Sequence, residues 1–149
     1  MSNLRVRDVM TPGVSVVHPK DPIGTLQDMM SEKHIRHVPV VDDDGRIVGL
    51  VSERDVLRRA AGLETELPLS VSHGLSAAIK VEEIMTWHVD TVEADDAAAT
   101  AAAVMLENKY GCLPVLEQGV LAGILTESDF VRLVSEAPAH VVRGPRRPG

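Results

Sequence analysis

Cysteine, aromatic side chains and long apolar runs are all scarce in this chain, and each shortage excludes something. Cys112 is the one cysteine among 149 residues, so no intrachain disulfide can form and a reducing cytoplasm is the expected compartment. Aromatics make up 2% of the sequence, as Trp87, Tyr110 and Phe130. The core must therefore be aliphatic, and a flat ligand would rest mainly on Val, Ile, Leu and Pro. No window approaches the roughly 18 consecutive apolar residues of a membrane span, and the start, Met1-Ser2-Asn3-Leu4-Arg5, carries no apolar signal core. Neither membrane insertion nor secretion is expected. Basic charge is short as well. A net charge of −7 speaks against nucleic acid as a partner, because that polyanion demands a basic surface. Arg143, Arg146 and Arg147 lie among Gly and Pro at the end of the chain. Residues 138–149 accordingly read as a disordered basic tail rather than a binding arm.

Hydrophobic residues make up 44% of the chain, enough to build a core, and their order repeats. Val9-Met10-Thr11 returns as Ile84-Met85-Thr86, and Val38-Pro39-Val40-Val41 as Leu113-Pro114-Val115-Leu116, both shifted by 75. Gly49-Leu50-Val51-Ser52-Glu53-Arg54-Asp55 returns as Gly123-Ile124-Leu125-Thr126-Glu127-Ser128-Asp129, shifted by 74. The lost residue falls where Asp42-Asp43-Asp44-Gly45 becomes Glu117-Gln118-Gly119, a turn that shortens cheaply. Three blocks in one order with one loop deletion make a duplication.

Each unit reads alike. An amphipathic turn (Val6–Met10; Val81–Met85) leads to a strand around Val14–Val17 or Val89–Val92. Asp21-Pro22, or Asp95-Asp96, then opens a helix, with the aspartate as N-cap. Ile23, Leu26, Met29 and Met30 follow the helical period, as do Ala98, Ala101, Val104 and Met105. A hairpin of two short strands follows, and a last helix is expected over Asp55–Ala61 or Asp129–Glu136. The expected fold is α/β (α+β): two β-α-β-β-α repeats, packed sheet to sheet with pseudo-two-fold symmetry, because one unit of roughly 55 residues buries too little surface alone. The expected divisions are repeat 1 over 1–62, a linker over 63–80 and repeat 2 over 81–137.

Ser52-x-x-Asp55 and Thr126-x-x-Asp129 have the spacing of a capping box, in which hydroxyl and carboxylate satisfy free backbone N–H groups at a helix start. The same place can serve a ligand. A helix start offers free amides and positive dipole to a phosphate, and a first-turn carboxylate can accept from two vicinal ribose hydroxyls. Both uses coexist if the hydroxyl caps while the carboxylate faces a cleft.

The blocks Asp8-Val9-Met10-Thr11, His37-Val38-Pro39-Val40-Val41, Asp44-Gly45-Arg46-Ile47-Val48-Gly49 and Ser52-Glu53-Arg54-Asp55, with their second copies, resemble a tandem cystathionine-β-synthase (CBS) domain pair, also called a Bateman module, over about residues 4–137. The resemblance implies a regulatory sensor of AMP, ADP, ATP or S-adenosylmethionine, assembled as a disc-like homodimer and acting on a regulated protein that it leaves unidentified. It also implies ribose binding by Asp55 and Asp129. Phosphate would lie by Ser52 and Arg54, or by Thr126 and Ser128, with Arg36 nearby. The base would rest on Ile35, Arg36 and His37 in one site and on Tyr110, Gly111 and Cys112 in the other. Each base segment would face the helix start of the opposite repeat. Arg54 as a bidentate phosphate grip, the Tyr110 ring and the close approach allowed by Gly111 favour the site joining Tyr110 to Asp55.

Other features carry less. His34-x-x-His37 has metal spacing but no local third ligand, Cys112 precedes a buried strand without a paired base, and Asp42-Asp43-Asp44-Gly45 lacks the spacing of a calcium loop. These read as surface or cleft-edge histidines, a packing residue and a hairpin turn. Trp87, where the first unit has Pro12, reads as a half-exposed loop residue near the cleft. No catalytic residue, metal or required cofactor is expected. An enzyme such as a relative of inosine monophosphate dehydrogenase would need a barrel of roughly 250 residues besides this module. The alternative to a sensor is a structural or protein-interaction module with degenerate, empty sites.

Overall fold

A computed structural model describes residues 3–64 and 79–136. The tail expected at 138–149, and 65–78 of the expected linker, lie outside the described residues. The first repeat contributes α1 (Val6–Val9), β1 (Thr11–Pro12), α2 (Ile23–Lys33), β2 (His37–Val41), β3 (Ile47–Ser52) and α3 (Glu53–Glu64). The second contributes a 3-10 turn (Val81–Glu83), β4 (Thr86–Trp87), β5 (Val92–Glu93), α4 (Ala98–Asn108), β6 (Cys112–Glu117), β7 (Val120–Thr126) and α5 (Glu127–Glu136). The mixed α and β composition expected from the duplication is present, as two sheets related by the repeat.

The two repeats exchange their leading arms. The sheets run β1-β7-β6-β5 and β2-β3-β4, so β1 closes the second repeat's sheet and β4 the first's. Val6 N–H donates to Asp96 O and Ala98 N–H to Leu4 O, each at 2.9 Å. In the mirror arrangement, Ile23 N–H donates to Ile79 O at 3.0 Å and Val81 N–H to Asp21 O at 2.8 Å. Val6 and Val9 accordingly sit in a core with Ala98, Ala101, Met105, Leu113, Val115 and Leu125, while Val81 and Met85 complete the core of Leu26, Met30, Val38, Val40 and Val51. Neither repeat owns a whole core, which is how units this small reach stability. The exchanged strands lie against glycine: Pro12 is opposite Gly123, and Trp87 opposite Gly49.

Several local expectations need correction. The strand expected over Val14–Val17 shrinks to one parallel bridge, Val17 with Val40, because backbone pairing is available to that segment at a single residue. Asp21 and Asp96 are not N-caps. Pro22 and Ala97 hold that position, and the aspartates close the preceding turn instead, accepting from His18 N–H and Glu93 N–H at 2.9 Å. The last helices begin at Glu53 and Glu127, two residues before the aspartates, and α3 continues past Ala61 into the stretch expected as linker. Trp87 lies in a strand, not a loop. The acidic turn is a hairpin turn, with the Asp42 carboxylate accepting from Asp44 and Arg46 N–H at 2.9 Å. Its counterpart has positive φ at both Gln118 (53°) and Gly119 (80°), the backbone a tight two-residue hairpin requires.

Candidate functional site

β3 and β7 run without a loop into α3 and α5, so each strand delivers its last hydroxyl to a helix start. Ser52 donates to Asp55 Oδ2 from both N–H and Oγ at 2.9 Å, and Asp55 N–H returns a 3.2 Å bond to Ser52 Oγ. Thr126 and Asp129 repeat this at 2.8, 3.1 and 3.4 Å. Each aspartate thus spends one oxygen on a capping box.

The other oxygens differ. Asp129 Oδ1 accepts from the Thr11 hydroxyl at 2.7 Å and from Arg132 Nη1 at 3.2 Å, and its side chain is 1% exposed. Among the described residues no hydrogen bond reaches Asp55 Oδ1. Arg58, the counterpart of Arg132, stands 3.9 Å away, and the Asp55 side chain is 21% exposed.

The segments preceding the proline strands come together at the seam. His37 lies opposite Ser52 across β2–β3, and Cys112 opposite Thr126 across β6–β7. Between repeats, His37 Nε2 lies 3.2 Å from where a Cβ on Gly111 would sit, so glycine there permits the two segments to close on each other. Arg36 O accepts from Glu53 N–H at 2.7 Å, tying its segment to the start of α3, and the Arg36 guanidinium extends into solvent 3.9 Å from Glu53. Burial lowers the His37 pKa; Asp55 pulls it up, Arg36 and Arg54 push it down, and Glu127 pulls it up. The imidazole therefore senses the helix start of its own repeat and that of the other.

A neutral His37 favoured by the fold sets a direction for acid. Its contribution is complete above the unfolded value of about 6.5 and is lost as pH falls below it, because the unfolded chain then binds the proton better. The Tm of the native chain should fall faster between pH 6.5 and 5 than that of His37→Gln. Parallel curves would show that this ring carries no such penalty.

The remaining site residues divide. Arg54 and Ser128 are exposed in the first turns of α3 and α5. Ile35 packs on the first core, and Tyr110 on the second, with its hydroxyl donating to Asp90. That bond raises the Tyr110 pKa. Both follow a left-handed helix cap, His34 or Lys109, that directs them to their own repeat. The Tyr110 ring expected to stack on a base is thus engaged by its own core. Cys112 is buried, and desolvation followed by the Asp129 charge pushes its thiol up to about 12, leaving it protonated rather than nucleophilic. Thr11 and Arg132 escaped the sequence reading. Arg132 was open to discovery from its i,i+3 spacing to Asp129, which Arg58 shares with Asp55. Half-exposed Trp87 lines a separate cavity of about 290 Å³ with Ile47, Val48, Gly49, His88 and Val89, along β3 away from Ser52.

A family model described as CBS domain matches residues 6–62 and 81–136. An uncharacterized protein of Methanocaldococcus jannaschii is 30% identical over 139 residues, covering 91% of this chain and 33% of its own length. Homoserine O-acetyltransferase of Methanococcoides burtonii is 32% identical over 135 residues, 90% of this chain and 25% of the enzyme. The chain thus spans between a quarter and a third of these relatives. Among solved structures, CBSX2, an Arabidopsis thaliana protein, crystallised in complex with AMP, is similar with a TM-score of 0.71 and 31% identity, over 88% of this chain and 96% of that one.

Proposed function

The chain belongs to the CBS domain family, carrying the domain twice, and from this we propose that it is a non-catalytic regulatory module that takes an adenosine-type nucleotide into the cleft between its repeats. The observation that carries the reading is the divided Asp55 carboxylate: one oxygen caps α3, and the other stands free of hydrogen bonds among the described residues and partly open to solvent. Vicinal ribose hydroxyls would donate to that oxygen, which accepts without offering a competing proton. The phosphate would lie over Ser52 and the first amides of α3, within reach of Arg54. The base would lie along the seam where His37 meets Gly111. AMP heads the candidates, since it is the ligand of CBSX2; ADP, ATP and S-adenosylmethionine follow. The reading carries with it a homodimer, a cytoplasmic location and a regulated protein whose contacts the bound nucleotide biases. The acyltransferase relatives owe their name to a chain about four times longer, so no acyl transfer is assigned to this module.

A ligand that binds only the folded state adds RT ln(1 + [L]/Kd), about 2.7 kcal/mol at a hundredfold excess over Kd. Millimolar AMP should therefore raise Tm by several degrees, and Asp55→Asn, which can keep the cap but loses the outer acceptor, should abolish the rise. No shift with any of the four nucleotides would refute the reading in favour of a structural module.

A further inference from the structure

The two helix starts share the hydroxyl-x-x-Asp pattern, with Arg54 in one where the other has Ser128, and do not offer the same site. Thr11 and Thr86 are equivalent positions, as are Arg58 and Arg132, and each aspartate spends Oδ2 on its own cap. The difference lies at Oδ1. On the second repeat the exchanged arm brings Thr11 beside β7, opposite Ile124, and its hydroxyl donates to Asp129 Oδ1 at 2.7 Å while Arg132 donates to the same oxygen at 3.2 Å. That oxygen accepts two hydrogen bonds, and the carboxylate is 1% exposed. On the first repeat Thr86 lies opposite Leu50 and makes no hydrogen bond to Asp55, and Arg58 stands too far off to donate.

We infer that Thr11 fills, from within the chain, the place a ribose hydroxyl would take at Asp129, so that the module binds a single adenosine nucleotide, at Asp55. The inference rests on the functional reading above and fixes its stoichiometry. A nucleotide entering at Asp129 would have to displace the Thr11 hydroxyl, and Thr11 belongs to the strand that holds the N-terminal arm on β7. Occupancy of the second cleft would then cost the chain part of its arm exchange. Asp55 asks for no such displacement.

Calorimetric titration of the full chain with AMP tests this. The native chain should take up one equivalent, and Asp55→Asn none. Thr11→Ala, which removes both the donor and its methyl group, should take up two, and the double variant Thr11→Ala/Asp55→Asn one, now at Asp129. Should Thr11→Ala not fold, Asp129→Asn decides instead: it should still take up one equivalent, and a loss of uptake would overturn the inference. Two equivalents in the native chain would overturn the inference and leave the nucleotide reading standing. So would one equivalent in folded Thr11→Ala with Asp55 intact. No uptake by any of these proteins would overturn the nucleotide reading, and the inference with it.

Discussion

Gly123→Val is expected to destabilise the chain by about 3 kcal/mol, at the upper end of what overpacking costs, and to loosen the N-terminal arm from β7. A Cβ at this position would stand 2.7 Å from the Thr11 carbonyl oxygen and 2.9 Å from Met10 Sδ. The methionine could swing aside. The carbonyl cannot, because it belongs to the strand paired with β7 at Thr11–Ile124 and Pro12–Gly123. Moving the arm would also uncover Val6 and Val9, and each fully buried valine is worth about 1.5–3 kcal/mol. Gly49 has the same problem against Thr86 O and Met85 Sδ, both at 2.8 Å, so Gly49→Val should behave alike. The control is Gly24→Ala in α2, where nothing lies within 4 Å; it should stabilise the chain by about 0.5–1 kcal/mol through lost unfolded-state freedom. Urea unfolding decides the matter. A Gly123→Val chain as stable as the parent would mean that the arm does not run where the structure places it.

That pair of glycines marks the limit of what the sequence could say about the fold. The duplication, the strand hairpins and the helices were legible because each rests on spacing within one unit: Leu26 and Met30 a helical turn apart, Asp42 and Gly45 in one turn. The exchange of arms was not. Val6 and Val81 are interchangeable by type and position, and an apolar residue packs as well on the other repeat's helix as on its own. Hydrophobic pattern states that a face is buried, never against which copy. The strand expected at Val14–Val17 failed for a related reason. Its residues favour extended backbone, but a ladder needs a partner along its length, and Val17 alone finds one.

The capping boxes were legible for the same local reason, since a hydroxyl and a carboxylate three residues apart at a helix start have few other partners. Arg54 against Ser128 already set the two sites apart, but which threonine reaches its aspartate was not legible. Thr11 and Thr86 are the same residue in the same block, and only the distance to the aspartate across the exchanged strand tells them apart. Tyr110 shows a different limit of the sequence. An aromatic residue beside a cleft invites stacking, yet the left-handed Lys109 before it steers the ring onto the second repeat's core.

The unequal environments of the two aspartates predict unequal costs of removing them. Asp55→Ala deletes a cap on a partly exposed carboxylate, and should cost about 1 kcal/mol. Asp129→Ala deletes the same cap and strips two further donors of their acceptor, the Thr11 hydroxyl and the Arg132 guanidinium, both on exposed residues around a carboxylate that is itself 1% exposed. Both donors can rehydrate, so each lost bond adds about 0.5–1.5 kcal/mol rather than a full burial penalty, and the total should approach about 2–3 kcal/mol. Asp129→Asn separates the contributions: its amide oxygen can keep the cap while the outer acceptor becomes a donor facing Arg132, placing it between the other two. The order of unfolding midpoints should be Asp55→Ala highest, then Asp129→Asn, then Asp129→Ala. A carboxylate whose loss costs this much is already in use by the fold, whereas one whose loss costs little is free for another partner. If Asp55→Ala proved as damaging as Asp129→Ala, the outer oxygen of Asp55 would be bound within the chain after all, and the open site would have to be sought elsewhere.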